Sequence, residues 1–175
     1  VGASKTATAA VLGGAGLIVT TSGASAACTG SGGVYTCSGT MGDTDGNRDI
    51  TGTTNLLDVT VSPSTTFNVT SGDAFDLNSN VGATFTNSNP EVTITGAVDG
   101  IEADNYGTGA LSITTTGTTT GGTGGDGIDA YNKSTGTDLT INAATTTGGV
   151  HGIYAANPGT GALSITTTGT TTGTN

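Results

Sequence analysis

The string GTGALSITTTGTTTG occurs twice in this chain, letter for letter, at residues 107–121 and 159–173. A divergent copy, GTDLTINAATTTGG, lies between them at 136–149. Each copy follows a Gly-hydrophobe pair: Gly100-Ile101, Gly127-Ile128 and Gly152-Ile153. Upstream, GDAFD at 72–76 aligns with GDGID at 125–129 and places Phe75 in the same column, and Ile50 falls one period earlier. The column Ile50, Phe75, Ile101, Ile128, Ile153 therefore has spacings of 25, 26, 27 and 25 residues. A period in this range is the mark of a stacked-repeat architecture, in which a single unit cannot bury its own apolar face.

Within each unit the apolar residues alternate with polar ones, as in Leu111/Ile113, Leu139/Ile141 and Leu163/Ile165. Alternation puts both members of a pair on one face of a β-strand. Val59/Val61, Phe67/Val69 and Val92/Ile94 repeat the pattern upstream. The chain has 32 Gly and 41 Thr. Both are poor helix formers, while Thr suits strands and Gly suits turns. At about 3.3 Å per strand residue, two or three short strands joined by tight turns close one coil. The expected fold is therefore all-β: a right-handed parallel β-helix (β-solenoid) with rungs of about 25–27 residues. Ladders of like residues on successive rungs make its core, which accounts for a chain with only 4% aromatic residues. A propeller blade needs about 40–50 residues and does not fit this period.

The first 26 residues read as an N-terminally truncated signal peptide. Lys5 precedes an uncharged run at 6–20 (TATAAVLGGAGLIVT), and Ala24-Ser25-Ala26 supplies a small-x-small cleavage site before Ala27. The run is shorter than the roughly 20 apolar residues of a membrane-spanning helix. Cys28 and Cys37 lie just after the cut. In an exported protein a pair this close is most simply one disulfide. Residues 27–49 are thus expected to form a disulfide-closed cap, and residues 50–175 the β-helix repeats, incomplete at the C-terminus.

The charge is one-sided: 3 Lys and Arg face 13 Asp and Glu, a formal net charge of −10. Three basic residues cannot neutralise a phosphate backbone, so nucleic acid is excluded as a partner. Acidic residues form two columns. Asp73, Asp99 and Asp126 stand two before the leading hydrophobe, and Asp76, Glu102 and Asp129 one after it. Turn residues at the repeat edge are the simplest reading; stacked carboxylates also offer hard oxygen ligands for Ca²⁺ or a pair for glycosidic acid/base work. Asn105, Asn132 and Asn157 lie four residues after the leading Ile of their rungs. They are expected to form a structural ladder, since stacked amides hydrogen-bond from rung to rung.

Local motifs add no chemistry. GGTGGDGID at 121–129 matches a calcium nonapeptide that works only in tandem. The Asp43-Thr44-Asp45-Gly46-Asn47 stretch, laid on a calcium-loop frame, has Met41 and Gly52 at its first and last ligand positions. His151 stands where other rungs carry Asp, with no second His for a metal, and reads as a turn residue. No catalytic residue, metal ligand or cofactor is assigned, and no enzyme activity is expected.

The leader, the Cys pair in ACTGSGGVYTCSG, the Gly/Thr/Asn-rich rungs of the form GI-x-A-x-N-x-GTGALSIT and the acidic composition together resemble the N-terminal part of an autotransporter passenger, from the type V secretion family of Gram-negative bacteria. The resemblance implies export to the cell surface, outer membrane or medium. It also implies a C-terminal outer-membrane barrel of the same chain beyond these residues. An adhesive or structural scaffold contacting cell-surface or matrix macromolecules is the function it suggests; a β-helix polysaccharide-degrading enzyme fragment is the alternative. A third possibility, recognition by a Thr array as in ice-binding solenoids, requires Thr in strict T-x-T register. The TTTGTTT runs read as less regular than that.

Overall fold

The structure, a computed structural model, describes residues 27–43, 49–52, 54–63 and 66–174. Residues 1–26, where a signal peptide is expected, and most of the Asp43–Asn47 motif lie outside the described residues. In chain order the strands are β1 (Ala27–Ser31), β2 (Val34–Ser38), β3 (Thr40–Asp43), β4 (Asp49–Gly52), β5 (Leu57–Val61), β6 (Thr66–Val69), β7 (Phe75–Ser79), β8 (Ala83–Asn87), β9 (Thr93–Thr95), β10 (Ile101–Asn105), β11 (Leu111–Thr120), β12 (Ile128–Asn132), β13 (Leu139–Gly148), β14 (Ile153–Ala156), β15 (Leu163–Thr167) and β16 (Thr171–Gly173). Among the described residues there is no helix.

Successive coils stack in parallel to give a β-solenoid of about 5 turns. Each coil carries three strand segments. The first face is a 5-stranded sheet in the order β14-β12-β10-β7-β4. The second and third faces belong to one 11-stranded sheet, because β11 and β13 run through both. The second face stacks β2, β5, β8, the first halves of β11 and β13, and β15. The third stacks β3, β6, β9, the second halves of β11 and β13, and β16. β2 already pairs in parallel with β5, so the coil stack begins inside the segment 27–49.

Inward residues form ladders. Phe75, Ile101, Ile128 and Ile153 stand in register on the first face, and Ala83, Leu111, Leu139 and Leu163 on the second. Ile50 does not join the Phe75 column. It pairs with Leu77 and so heads the ladder Leu77, Ala103, Ala130, Ala155. Strand side chains alternate with period two, so a shift of two residues keeps Ile50 inward and leaves no trace in the hydrophobic pattern. The chain's three Phe residues sit together. The Phe67 and Phe75 rings are 4.6 Å apart and the Phe75 and Phe85 rings 4.9 Å, both edge to face. Later coils fill the same interior with Ile, Leu, Ala and Thr.

At the N-terminal end β1 folds back antiparallel on β2 through Gly32 and Gly33, with φ of 63° and 94°. A two-residue turn of this hand needs positive φ at both positions, which Gly alone adopts freely. Cys28 and Cys37 are directly opposite in this hairpin and are joined by a disulfide. Cys37 is fully buried in the core.

Candidate functional site

Three features stand out on this scaffold: two internal polar ladders, an acidic and aromatic first face, and a hydroxyl array on the third face. The Asn ladder closes the corner between the first and second faces. Asn105 Nδ2 donates to Asn132 Oδ1 at 2.7 Å, and Asn132 Nδ2 to Asn157 Oδ1 at 3.0 Å. The amides also hold their own turns: Gly107 N–H donates to Asn105 Oδ1 at 2.9 Å, and Asn132 Nδ2 to the Thr137 carbonyl at 2.9 Å. Ser79 occupies the same column one coil earlier and accepts from Gly82 N–H at 3.0 Å. Asn132→Ala should cost about 2 kcal/mol, because it leaves buried amide groups of its neighbours without partners. Chemical denaturation of the variant against the parent chain would measure it.

The first acidic column is a second ladder. Asp73 Oδ1 accepts the Asp99 N–H at 2.7 Å, Asp99 Oδ1 accepts the Asp126 N–H at 2.5 Å, and Asp126 Oδ1 accepts the His151 N–H at 2.8 Å. Each carboxylate thus ties its turn to the next coil. His151 ends the series, with Nδ1 also 3.0 Å from Asp126 Oδ1. The nonapeptide match at 121–129 contributes Asp126 to this ladder and otherwise forms the turn between β11 and β12, closed by Gly125 N–H on the Gly122 carbonyl at 3.1 Å.

The second acidic column, Asp76, Glu102 and Asp129, is in register on the outer side of the first face. Burial, followed by the Asp76 and Asp73 charges, pushes the Glu102 carboxyl up to about 8. Burial, with Asp99 and Asp126 next, pushes Asp129 up to about 6, and burial also raises Asp99. One oxygen from each of Asp73, Asp99 and Glu102 lies within 4.8 Å of the others. Carboxylates this close either share a hard cation or hold a proton. The residue types suit a cation, but Asp73 and Asp99 already have an oxygen committed to a backbone amide.

Beside this row lies a small aromatic group that sequence reading missed. Asp104 and Tyr131 are paired in register, Lys133 Nζ lies 4.8 Å from the Tyr106 ring centre and 4.7 Å from that of Tyr131, and the Tyr106 hydroxyl donates to Asp104. Tyr106 and Lys133 hold the same variable position of successive rungs, just after the column Asn residues Asn105 and Asn132, so the repeat that stacks the Asn column also brings them together.

The third face overturns the expectation that the Thr runs are irregular. Thr93 and Thr95 pair with Thr118 and Thr120, these pair with Thr145 and Thr147, and Thr172 pairs with Thr147. Between each pair one residue points inward: Ile94, Thr119 and Thr146 are all fully buried. The flanking Thr residues are half-buried on the outside. The result is a T-x-T array, with Thr positions about 4.8 Å apart between coils and about 6.6 Å along a strand. What aligns it is a bulge. The β11–β13 register slips between Thr115 and Thr118: Thr116 and Gly117 stand opposite the single Ala144, so TTTGTTT at 114–120 pairs with the six residues NAATTT at 142–147. Gly117 sits in that bulge, where a Cβ would meet the Val92 carbonyl oxygen at 2.0 Å. The buried Thr115 hydroxyl lies 3.3 Å from that of Thr119, so part of each run is core rather than surface.

Comparison of the chain with protein-family models, with curated protein sequences and with solved structures found no match.

Proposed function

We propose that this chain is part of an exported autotransporter passenger, and that it works at the bacterial surface as an adhesive scaffold. The observation that carries the adhesive reading is the registered T-x-T array on the third face. Many equivalent hydroxyls at fixed spacing match a repetitive, hydroxyl-rich partner such as a surface or matrix polysaccharide. Each contact is weak, and repetition raises the overall affinity by about 10² to 10⁴ when the geometry lets them act together. The rigid parallel stack supplies that geometry, and the N-terminal disulfide fits an exported setting.

The same array favours a second reading, binding to an ice lattice, since two-dimensional order in the hydroxyls is what such a surface requires. Face-specific variants separate these readings. Thr120→Tyr with Thr147→Tyr places bulk in the middle of the array; Tyr131→Ala alters the first face only. Adsorption of the multimerised chain to insoluble polysaccharides and to host matrix is expected to fall at least about tenfold in the Thr pair and to be unchanged in Tyr131→Ala. Inhibition of ice recrystallisation by the parent chain, lost in the Thr pair, would select the second reading. Equal adsorption by parent and Thr pair would remove the third face from the function. The polysaccharide-degrading alternative rests on the acidic row, where Glu102→Gln and Asp129→Asn are its direct test, because neither residue serves in the Asp ladder.

A further inference from the structure

The outer surface of the first sheet carries a seat for an ammonium group. Tyr106 and Tyr131 come from successive coils, and Lys133 Nζ lies 4.8 Å and 4.7 Å from their ring centres. Lys133 is the one Lys or Arg among the described residues. Its ammonium goes to the rings, and among the described residues no ion pair joins it to a carboxylate. An ammonium held by two aromatic rings is the arrangement that recognises alkylammonium ligands. Around the seat the surface is acidic. The Tyr106 hydroxyl donates to Asp104, Glu102 stands two residues before Asp104 on β10, and Asp129 is paired beside Glu102 on β12. The Tyr106 hydroxyl is pushed up to about 12, first by its bond to Asp104, then by burial and the charges of Asp104, Glu102 and Asp76, so rings and carboxylates share one field. This surface lies inside the stack: β10 is flanked by β7 and β12, and β12 by β10 and β14.

We propose that this surface binds a linear polyamine, with one terminal ammonium on the Tyr106–Tyr131 pair in place of Lys133 and the other amines over Asp104, Glu102 and Asp129. Charge and spacing both select this occupant. Three carboxyl groups stand around a single Lys, so the surface attracts a polycation. Burial and neighbouring charge raise Glu102 and Asp129, and an ammonium over them relieves that repulsion. Carboxyl positions are about 4.8 Å apart between coils and about 6.6 Å along a strand, and amines joined by extended three- and four-carbon chains span the same intervals. An extended basic peptide carries its same-face side chains only at the longer spacing. A bare metal ion would use the carboxylates and leave the rings without a role. Lys133 is then a tethered competitor: it fills the seat in the free protein and repels an incoming polycation. The site is separate from the Thr array, which lies on the third face.

The test is calorimetric titration of the chain with spermidine, at low salt because exposed charges are screened within about 10 Å at 0.1 M. One site is expected. Tyr106→Ala combined with Tyr131→Ala should weaken binding at least about tenfold, and Asp104→Asn should weaken it as well. Lys133→Gln should tighten binding by about tenfold, a gain that misfolding cannot imitate. No binding of spermidine, equal affinity in the Tyr pair variant, or a Lys133→Gln chain that binds no tighter overturns the proposal. Hexaamminecobalt(III) carries the same charge in compact form. If it binds as tightly as spermidine, the surface is a general attractor of cations and the proposal fails. A trilysine peptide that displaces spermidine at equal concentration would make a basic peptide the ligand and also overturn it.

Discussion

Replacing Phe75 by Ala is expected to lower the free energy of unfolding by about 3–5 kcal/mol, read from chemical denaturation. The ring is fully buried and lies edge to face against both Phe67 and Phe85. These three side chains come from three different strands, β6, β7 and β8, so removing the central ring uncouples all three faces at once. The cavity cannot close, because parallel ladders above and below fix the strand spacing. Phe75→Ile should recover most of the loss, since Ile101, Ile128 and Ile153 hold the same column on later coils. Stability in stacked repeats is a sum of local and nearest-neighbour contributions. Hydrogen exchange in the Ala variant should therefore rise most in β4 to β9 and least in β12 to β14. A loss below about 1 kcal/mol would mean that the Phe cluster does not couple the faces.

The second large effect is a stability that falls as pH rises through the neutral range. Glu102 has a folded value of about 8 against 4.5 for a free Glu, and Asp129 about 6 against 3.8. A carboxyl whose folded value is raised binds its proton more tightly in the folded state. Its contribution is therefore fully present below the unfolded value and is lost as pH rises through the folded one. For Asp129 the loss runs from about pH 4 to 6, and for Glu102 from about pH 4.5 to 8. The charged groups facing Glu102 are Asp73, Asp76 and Asp99; those facing Asp129 are Asp99, Asp104 and Asp126, with His151 acting in the opposite sense. Thermal melts between pH 4.5 and 8.5 should show a falling Tm, the reverse of ordinary acid denaturation. Glu102→Gln should flatten the part of the fall above pH 6. A Tm that rises steadily to pH 8 in the parent chain would contradict this account.

How much of this was legible beforehand depends on which interactions carry a sequence period. The coil length was, because Ile101, Ile128 and Ile153 must each be buried by the next coil and so recur at its spacing. The parallel stack followed from the same repetition. The register of Ile50 was not, because inward positions two residues apart are equivalent in an alternating pattern. The Thr array was hidden for a related reason. The paired segments TTTGTTT and NAATTT differ in length by one residue, and nothing in either string says that a bulge at Gly117 absorbs the difference. Asp73, Asp99 and Asp126 were visible as a column, yet their targets are backbone amides, which have no letter in the sequence. Tyr106 and Lys133 were in fact aligned, each one residue after its column Asn, but the letters differ from rung to rung, so the shared position does not show up as a column of like residues.

The sequence by itself therefore determined the architecture: a chain of short alternating strands, repeating every 25–27 residues, has its apolar residues buried only by stacking on its own copies. Tertiary structure decided what faces what. Register, bulges and turn hydrogen bonds set which Thr side chains face outward in register, which carboxylates hold amides and which crowd into an acidic row. Side-chain identity is a local property, and register depends on the neighbouring coil.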